Sequence, residues 1–151
     1  KINKDPMLFC LALVLIGCEP SKNSTNPDLT NLSYDIGENS VSITRCKIAA
    51  SGSVAIPETI EGKPVTSIGF AAFYSCSSLT SVSIPNSVTS IVENAFDDCS
   101  GLTNLVVDPS SSSYASLDGV LFSKNLKAIV RFPGGRNGVY SIPNSVTSIG
   151  V

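Results

Sequence analysis

Asp97 and Asp98, with Glu93 just upstream, are the tightest group of acids in this 151-residue chain. Paired carboxylates at that spacing suit general acid–base work or calcium binding. A similar stretch upstream has Tyr74 and Ser75 at the matching positions, so the acids read as a solvated turn rather than a shared site. Pro133-Gly134-Gly135-Arg136 has the small residues of a phosphate loop, but it opens no helical pattern and matches no nucleotide fingerprint. It reads as a surface loop. Serines are numerous, yet no base stands near any of them in a recognisable nucleophile motif. The sequence has no histidine, which removes imidazole bases, histidine triads and histidine metal ligands together. Catalysis, a metal and a cofactor are therefore not expected.

The five cysteines are the remaining reactive groups. They form no C-x-x-C pair and no disulfide framework. Cys76 and Cys99 lie in matching surroundings and read as small buried hydrophobes. A bridge between them is the alternative that geometry would just permit. Cys46 reads as a lone thiol. Removing residues 1–17 takes away Lys1, Lys4 and Asp5 and leaves 8 basic and 11 acidic side chains, a net charge of -3. That balance has no nucleic-acid footprint. There is no tryptophan to serve as a binding anchor, so stacking falls to Tyr34, Tyr74, Tyr114 and Tyr140.

These residues are positioned by one pattern written twice between residues 65 and 107. Ile68 recurs as Ile91, Phe73 as Phe96, Cys76 as Cys99 and Leu79 as Leu102, always at the same spacing. A fixed period of about 23 residues marks a stacked repeat. Each copy carries short alternating apolar runs, such as Leu79-Thr80-Ser81-Val82-Ser83-Ile84, so it supplies strands rather than a helical stripe. Six apolar side chains cannot offset the entropy of ordering a whole copy. Neighbouring rungs, stacked about 4.8 Å apart, must therefore share one core and one hydrogen-bonded ladder. The expected core is Ile68, Phe73, Cys76, Leu79, Val82, Ile84, Ile91, Phe96, Cys99 and Leu102.

The segments CSSLTSVSIPNSVTSI and CSGLTNLVV resemble the BspA-like leucine-rich repeat family of bacterial surface proteins. The match runs through Cys76, Leu79, Val82, Ile84, Pro85, Val88, Ile91, Ala95, Phe96 and Cys99, and it covers about residues 53–151. Val92 stands where the pattern has glycine, which is expected to strain or reshape that turn. The resemblance implies a right-handed leucine-rich repeat solenoid, rich in strands, with short helical turns. It also implies binding to host extracellular or neighbouring-cell proteins.

Taken in order, residues 1–17 pair a basic start with an apolar run too short to span a bilayer, as in a secretory leader. Leu15-Ile16-Gly17-Cys18 resembles the lipobox of bacterial lipoproteins, which implies acylation of Cys18 after cleavage. Several acyl chains would make anchoring stable where one would not. Residues 18–30 are polar and rich in Pro, Ser and Asn, the composition of a tether. Residues 31–57 alternate as strands and are expected to cap the first rung of the repeats at 58–151. After the regular copies at 65–107, residues 108–140 form a variant unit, with strands on either side of Asp118-Gly119 and a third near 126–132. The regular phrase resumes at 141–151 without the residues that complete a rung, so the natural chain is expected to continue.

In the run from Leu79 to Ile84 the apolar residues point inward. That leaves Thr80, Ser81 and Ser83 outward, with Thr103, Asn104 and Val106 at the same places in the next copy. Such a sheet face admits a partner's backbone closely and is the expected binding face for a protein ligand. A merely solvated surface is the bland alternative. The expected function is a non-catalytic, lipid-anchored cell-surface module for protein recognition or adhesion, placed on the outer membrane and exposed. The competing expectation is a structural or self-assembling envelope spacer without a specific ligand. Neither a nucleic acid nor a small-molecule substrate is expected.

Overall fold

The computed structural model describes residues 29–150. The leader, Cys18 and the tether as far as residue 28 lie outside the described residues. One turn of 3-10 helix, Leu29–Asn31, precedes twelve strands. In chain order these are β1 (Leu32–Ile36), β2 (Val41–Cys46), β3 (Gly52–Ala55), β4 (Thr59–Ile60), β5 (Lys63–Ile68) and β6 (Leu79–Ile84). They are followed by β7 (Ser90–Ile91), β8 (Asn104–Val107), β9 (Tyr114–Leu117), β10 (Val120–Ser123), β11 (Ala128–Arg131) and β12 (Ser148–Ile149).

The alternating runs build two parallel ladders, one rung above another. One is β2-β5-β7 and the other is β3-β6-β8. Ser67 and Ile68 pair with Ser90 and Ile91, while Val82 and Ile84 pair with Leu105 and Val107. The sequence period is thus the register of the sheets. Stacking brings like onto like, with the rings of Phe73 and Phe96 5.0 Å apart and 19° from parallel. Nine of the ten residues expected inside are buried. Ile91 is half-buried instead.

Its position explains the exposure. The rung beyond Ile91 is the variant unit, and among the described residues β7 has no strand on that side. Tyr114, one period further along, turns its hydroxyl back to accept the Ile91 N–H at 3.0 Å. A side chain thereby replaces the missing ladder carbonyl, as the backbone donor requires. Burial raises the Tyr114 phenol above its ordinary value, and the Ile91 N–H acts in the opposite sense.

Within residues 31–57 only β1 runs against the ladder, pairing antiparallel with β2. β2 and β3 already stack in parallel on β5 and β6. The hairpin joining β4 to β5 turns through Glu61 and Gly62, both left-handed (φ 51° and 77°), as a type I′ turn demands. The variant unit repeats the device at Asp118 and Gly119 between β9 and β10. Beyond it β11 pairs antiparallel with β10 and parallel with β12. Phe122, Val120 and Ile129 form a small second core there, flanked by Phe132 edge-on to Tyr140 with Arg136 over both rings.

The segments joining the two sheets are short chains of turns, kept short because Ala71, Ser75 and Asp98 sit at positive φ and interrupt any longer helical run. Their amide hydrogens alternate between local carbonyls and the next rung: Tyr74 N–H bonds Ala71, while Phe73 N–H bonds Ala95 at 2.7 Å. Val92 leaves its turn unreshaped. Its N–H donates to Ile68 as that of Gly69 does to Ile43, and its backbone stays out of the left-handed region. The Pro133-Gly134-Gly135 loop is packed down rather than free at the surface. Pro133 is buried, Gly135 donates to the Leu102 carbonyl at 2.7 Å, and a Cβ on Gly135 would lie 2.7 Å from the Gly101 carbonyl carbon.

Candidate functional site

The outward positions of β3, β6 and β8 form one strip. Ser53, Ser81 and Asn104 make one row across it, and Ala55, Ser83 and Val106 make another. With strands about 4.8 Å apart the rows run roughly 10 Å across. Ser83, Thr80, Thr103 and Asn104 are exposed, Ser81 is half-buried, and Val106 is 40% exposed. The register slips between Gly52 and Ser53, so Thr80 is an extra residue on β6 opposite no partner. The hydroxyl of Thr103 is already engaged, donating to the Thr80 carbonyl at 3.1 Å beside the Thr103 N–H at 3.0 Å. Thr103 therefore holds rungs together, whereas Ser81, Ser83 and Val106 present side chains outward.

Ser53 and Ala55 join the strip although the sequence reasoning passed over them. The signal was present, since Ser53-Val54-Ala55-Ile56-Pro57 restates Ser81-Val82-Ser83-Ile84-Pro85, but at a wider spacing than that of the regular copies.

The strip has defined ends. Beyond β8 the Gly119 carbonyl accepts from Leu105 N–H at 2.9 Å, and Ser116 Oγ accepts from Val107 N–H at 3.0 Å. The β9–β10 turn can approach so closely because residue 119 is glycine. A Cβ there would lie 2.4 Å from Asn104 Oδ1. At the foot of the strands a shallow depression of about 260 Å3 is lined by Ile56, Ser83, Pro85, Val106 and Pro109, with Asp108 at its rim. The Ser110 hydroxyl and amide both donate to Asp108 Oδ1, at 2.6 and 2.8 Å, and hold its carboxyl below the ordinary value. The strip is thus small-residued and flat, with an anionic corner.

The three described cysteines are free and buried. Cys46 is not alone, since Cys76 Sγ lies 3.7 Å from the carbonyl oxygens of both Cys46 and Lys47. Burial pushes the Cys46 thiol up to about 12, with the neighbouring Cys76 acting in the same direction. Burial likewise takes Cys99 to about 11, and its Sγ lies 2.9 Å from the Phe73 carbonyl oxygen. Neutral, enclosed thiols are poor nucleophiles. Among the acids, Asp97 is not simply solvated. Arg131 Nη1 meets its Oδ1 at 2.6 Å while Nη2 donates to the Phe96 carbonyl at 3.0 Å, which ties the variant unit to the regular rung. Cys18 lies outside the described residues. Among the described residues no three His, Cys, Asp or Glu side chains are grouped to hold a metal ion.

Comparison with solved proteins places this architecture. A leucine-rich repeat protein from Eubacterium ventriosum superposes with a TM-score of 0.58 and 26% identity, covering 66% of this chain and 25% of its own. One from Bacteroides ovatus gives 0.52 and 25%, over 80% of this chain and 30% of its own. The pneumococcal vaccine antigen PcpA gives 0.50 at 22% identity, over 66% of this chain and 30% of its own, a likeness of fold alone. The chain spans about a quarter to a third of the length of these proteins. No curated protein matches the sequence significantly. Repeat solenoids of this kind serve protein–protein interaction through their extended surfaces. Six copies of the BspA type leucine rich repeat region match residues 52–151, and the chain belongs to that family.

Proposed function

We propose that the chain is a non-catalytic recognition or adhesion protein of the bacterial cell surface, held to the outer membrane by lipid on Cys18. In this reading residues 1–17 are the leader, 18–30 the lipidated cysteine and tether, and 31–57 the cap. Regular repeats occupy 65–107, the variant repeat 108–140, and a further repeat begins at 141–151. The strip of Ser53, Ser81, Ser83, Asn104 and Val106 meets a protein ligand, either a host extracellular protein or one on a neighbouring cell. The observation that carries it is the in-register, three-strand strip of short side chains, open to solvent between a capped end and a depression. Neither a nucleic acid nor a small-molecule substrate enters the reading.

Two experiments test it. Intact cells are treated with protease, comparing wild type with Cys18→Ala. Shaving of the wild type and release of the variant support a surface lipoprotein, while protection until the outer membrane is broken refutes surface display. Attachment of the same cells to wells coated with extracellular-matrix protein is then compared with Ser81→Arg and Ser83→Arg. Both positions face outward on the strip, so these variants should fold and lose attachment. Undiminished attachment refutes the strip as the contact.

A structural role has one observation of its own. Among the described residues β3 is paired on one side only within its sheet, and an open strand edge is a template for a second chain. Concentration-dependent association without any matrix binding would favour a self-assembling spacer.

A further inference from the structure

The turns that join the two sheets form an edge of the solenoid away from the strand strip, and on it the repeats stop repeating. Phe70 is 71% exposed, Tyr74 51% and Ile48 69%. In the following rung the positions of Phe70 and Tyr74 carry Glu93 and Asp97. The scaffold therefore folds with acids at these places and does not require the rings. Exposed aromatic and aliphatic groups gathered in this way mark contact surfaces rather than fold requirements.

The group is concave. One hollow of about 180 Å3 is lined by Arg45, Cys46, Ile48, Ala71 and Tyr74. A second of about 300 Å3 is lined by Phe70, Ala71, Tyr74, Asn94 and Asp97. Tyr74 and Ala71 are the wall between them. Ala71 holds a left-handed backbone (φ 52°), which its counterpart Asn94 does not. The main chain thus departs from the repeat where the hollows lie, as strained backbone at contact sites often does.

Charge gives the pair of hollows a direction. Arg45, in the first, makes no side-chain hydrogen bond or ion pair among the described residues, and Lys47 is exposed beside it. The second is lined at its end by Asp97, whose carboxylate Arg131 already meets at 2.6 Å, so its negative charge comes from the exposed Asp98 and Glu93 in the same turn. Alternate side chains of an extended segment fall on one side, roughly 6.6 Å apart, a spacing suited to two hollows that share a wall.

We propose that this edge is a second docking surface, distinct from the strand strip, for an extended protein segment. That segment offers two apolar side chains at alternate positions, an acid before them to meet Arg45 and a base after them to meet Glu93 and Asp98. A lipid surface is the less favoured occupant, because Glu93 and Asp98 oppose an anionic headgroup layer and the apolar groups line concavities instead of projecting as a belt.

The test uses the isotope-labelled full chain and the peptide acetyl-Gly-Asp-Leu-Ser-Leu-Lys-Gly-amide, followed by amide chemical shifts. Saturable shifts at Ile48, Phe70, Ala71 and Tyr74 are expected. A peptide with serine for both leucines should leave them unmoved. Lysine in place of the aspartate should weaken binding by about threefold to fivefold, the worth of an exposed ion pair, and Arg45→Glu should reverse that preference. Phe70→Ser and Tyr74→Ser, at exposed positions, should abolish binding with an unchanged melting curve. The proposal is overturned if millimolar peptide gives no saturable shift, or if the serine peptide binds equally. It is equally overturned if the same amides respond only to vesicles of phosphatidylglycerol and phosphatidylethanolamine. Shifts confined to Ser53, Ser81, Ser83 and Asn104 would sink it while leaving the strand strip supported.

Discussion

Phe96→Ala removes the ring that stacks on Phe73 at 5.0 Å and is itself 2% exposed. The loss has two parts. Large-to-small replacement of a buried aromatic destabilises by about 3–5 kcal/mol, more when the site cannot collapse. Here collapse is hindered because the flanking backbone is bonded to the adjoining rung: Phe73 N–H to the Ala95 carbonyl, and Arg131 to that of Phe96. The stack itself is worth roughly 0.5–1.5 kcal/mol of that figure. Urea denaturation of the full chain measures the effect. At a slope of about 2 kcal/mol/M, a loss of about 4 kcal/mol lowers the midpoint by about 2 M. The double variant with Phe73→Ala should fall short of the sum of the single effects by about 1 kcal/mol, because each ring is the other's partner. A loss under about 1 kcal/mol for Phe96→Ala, or strict additivity in the double variant, would refute the stacked-rung account of the core.

Ser111 is buried at the place where the regular copy has Val88, and its Oγ accepts the N–H groups of Ser113 and Tyr114 at 3.4 and 3.3 Å. Ser111→Val restores the repeat residue yet should destabilise by about 1–2 kcal/mol in urea melts, since two amides lose their acceptor; a gain in stability would contradict this. Gly119→Ala combines a left-handed backbone (φ 75°) with a Cβ 2.4 Å from Asn104 Oδ1. It should cost about 1–3 kcal/mol, and Asn104→Gly should recover part of that loss, while no recovery would show that the clash is elsewhere. The buried thiols make stability fall in alkali. Cys46 and Cys99 move from 9.0 to about 12 and about 11 on folding, so above pH 9 the unfolded chain has released protons that the folded chain retains, and stability declines as pH rises towards 11–12. Cys46→Ala should flatten that decline in melts between pH 8 and pH 11, and an unchanged slope would deny the thiols their part.

What could be read from the residues alone follows from the one-dimensional logic of stacking. Each rung meets its neighbours at equivalent positions, so the core must repeat Phe73 as Phe96, Cys76 as Cys99 and Leu79 as Leu102, and the period is written in the chain. The turn at Asp118-Gly119 was legible for a similar reason, because two successive left-handed residues have few chemical solutions. Outward Ser81 and Ser83 follow from alternation once their neighbours are inward.

Contacts between unlike rungs were decided only in three dimensions. Ile43 pairs with Ile68 and Val54 with Val82, and both steps are longer than the one that carries Ile68 to Ile91. A single period therefore leaves Cys46 apart from Cys76, whose Sγ reaches the Cys46 carbonyl oxygen, and Ser53 apart from the strip it extends. Tyr114 lies one period beyond Ile91, yet it caps the ladder by its hydroxyl rather than continuing it by its backbone. Arg131 finds Asp97 from the far side of the variant unit, and Gly135 settles against Gly101. Only the path of the turns sets Tyr74 beside Ile48 and Arg45, and Phe70 beside Asn94 and Asp97. A local pattern states which residues must be buried. The path of the chain between rungs of different length determines which of the others meet.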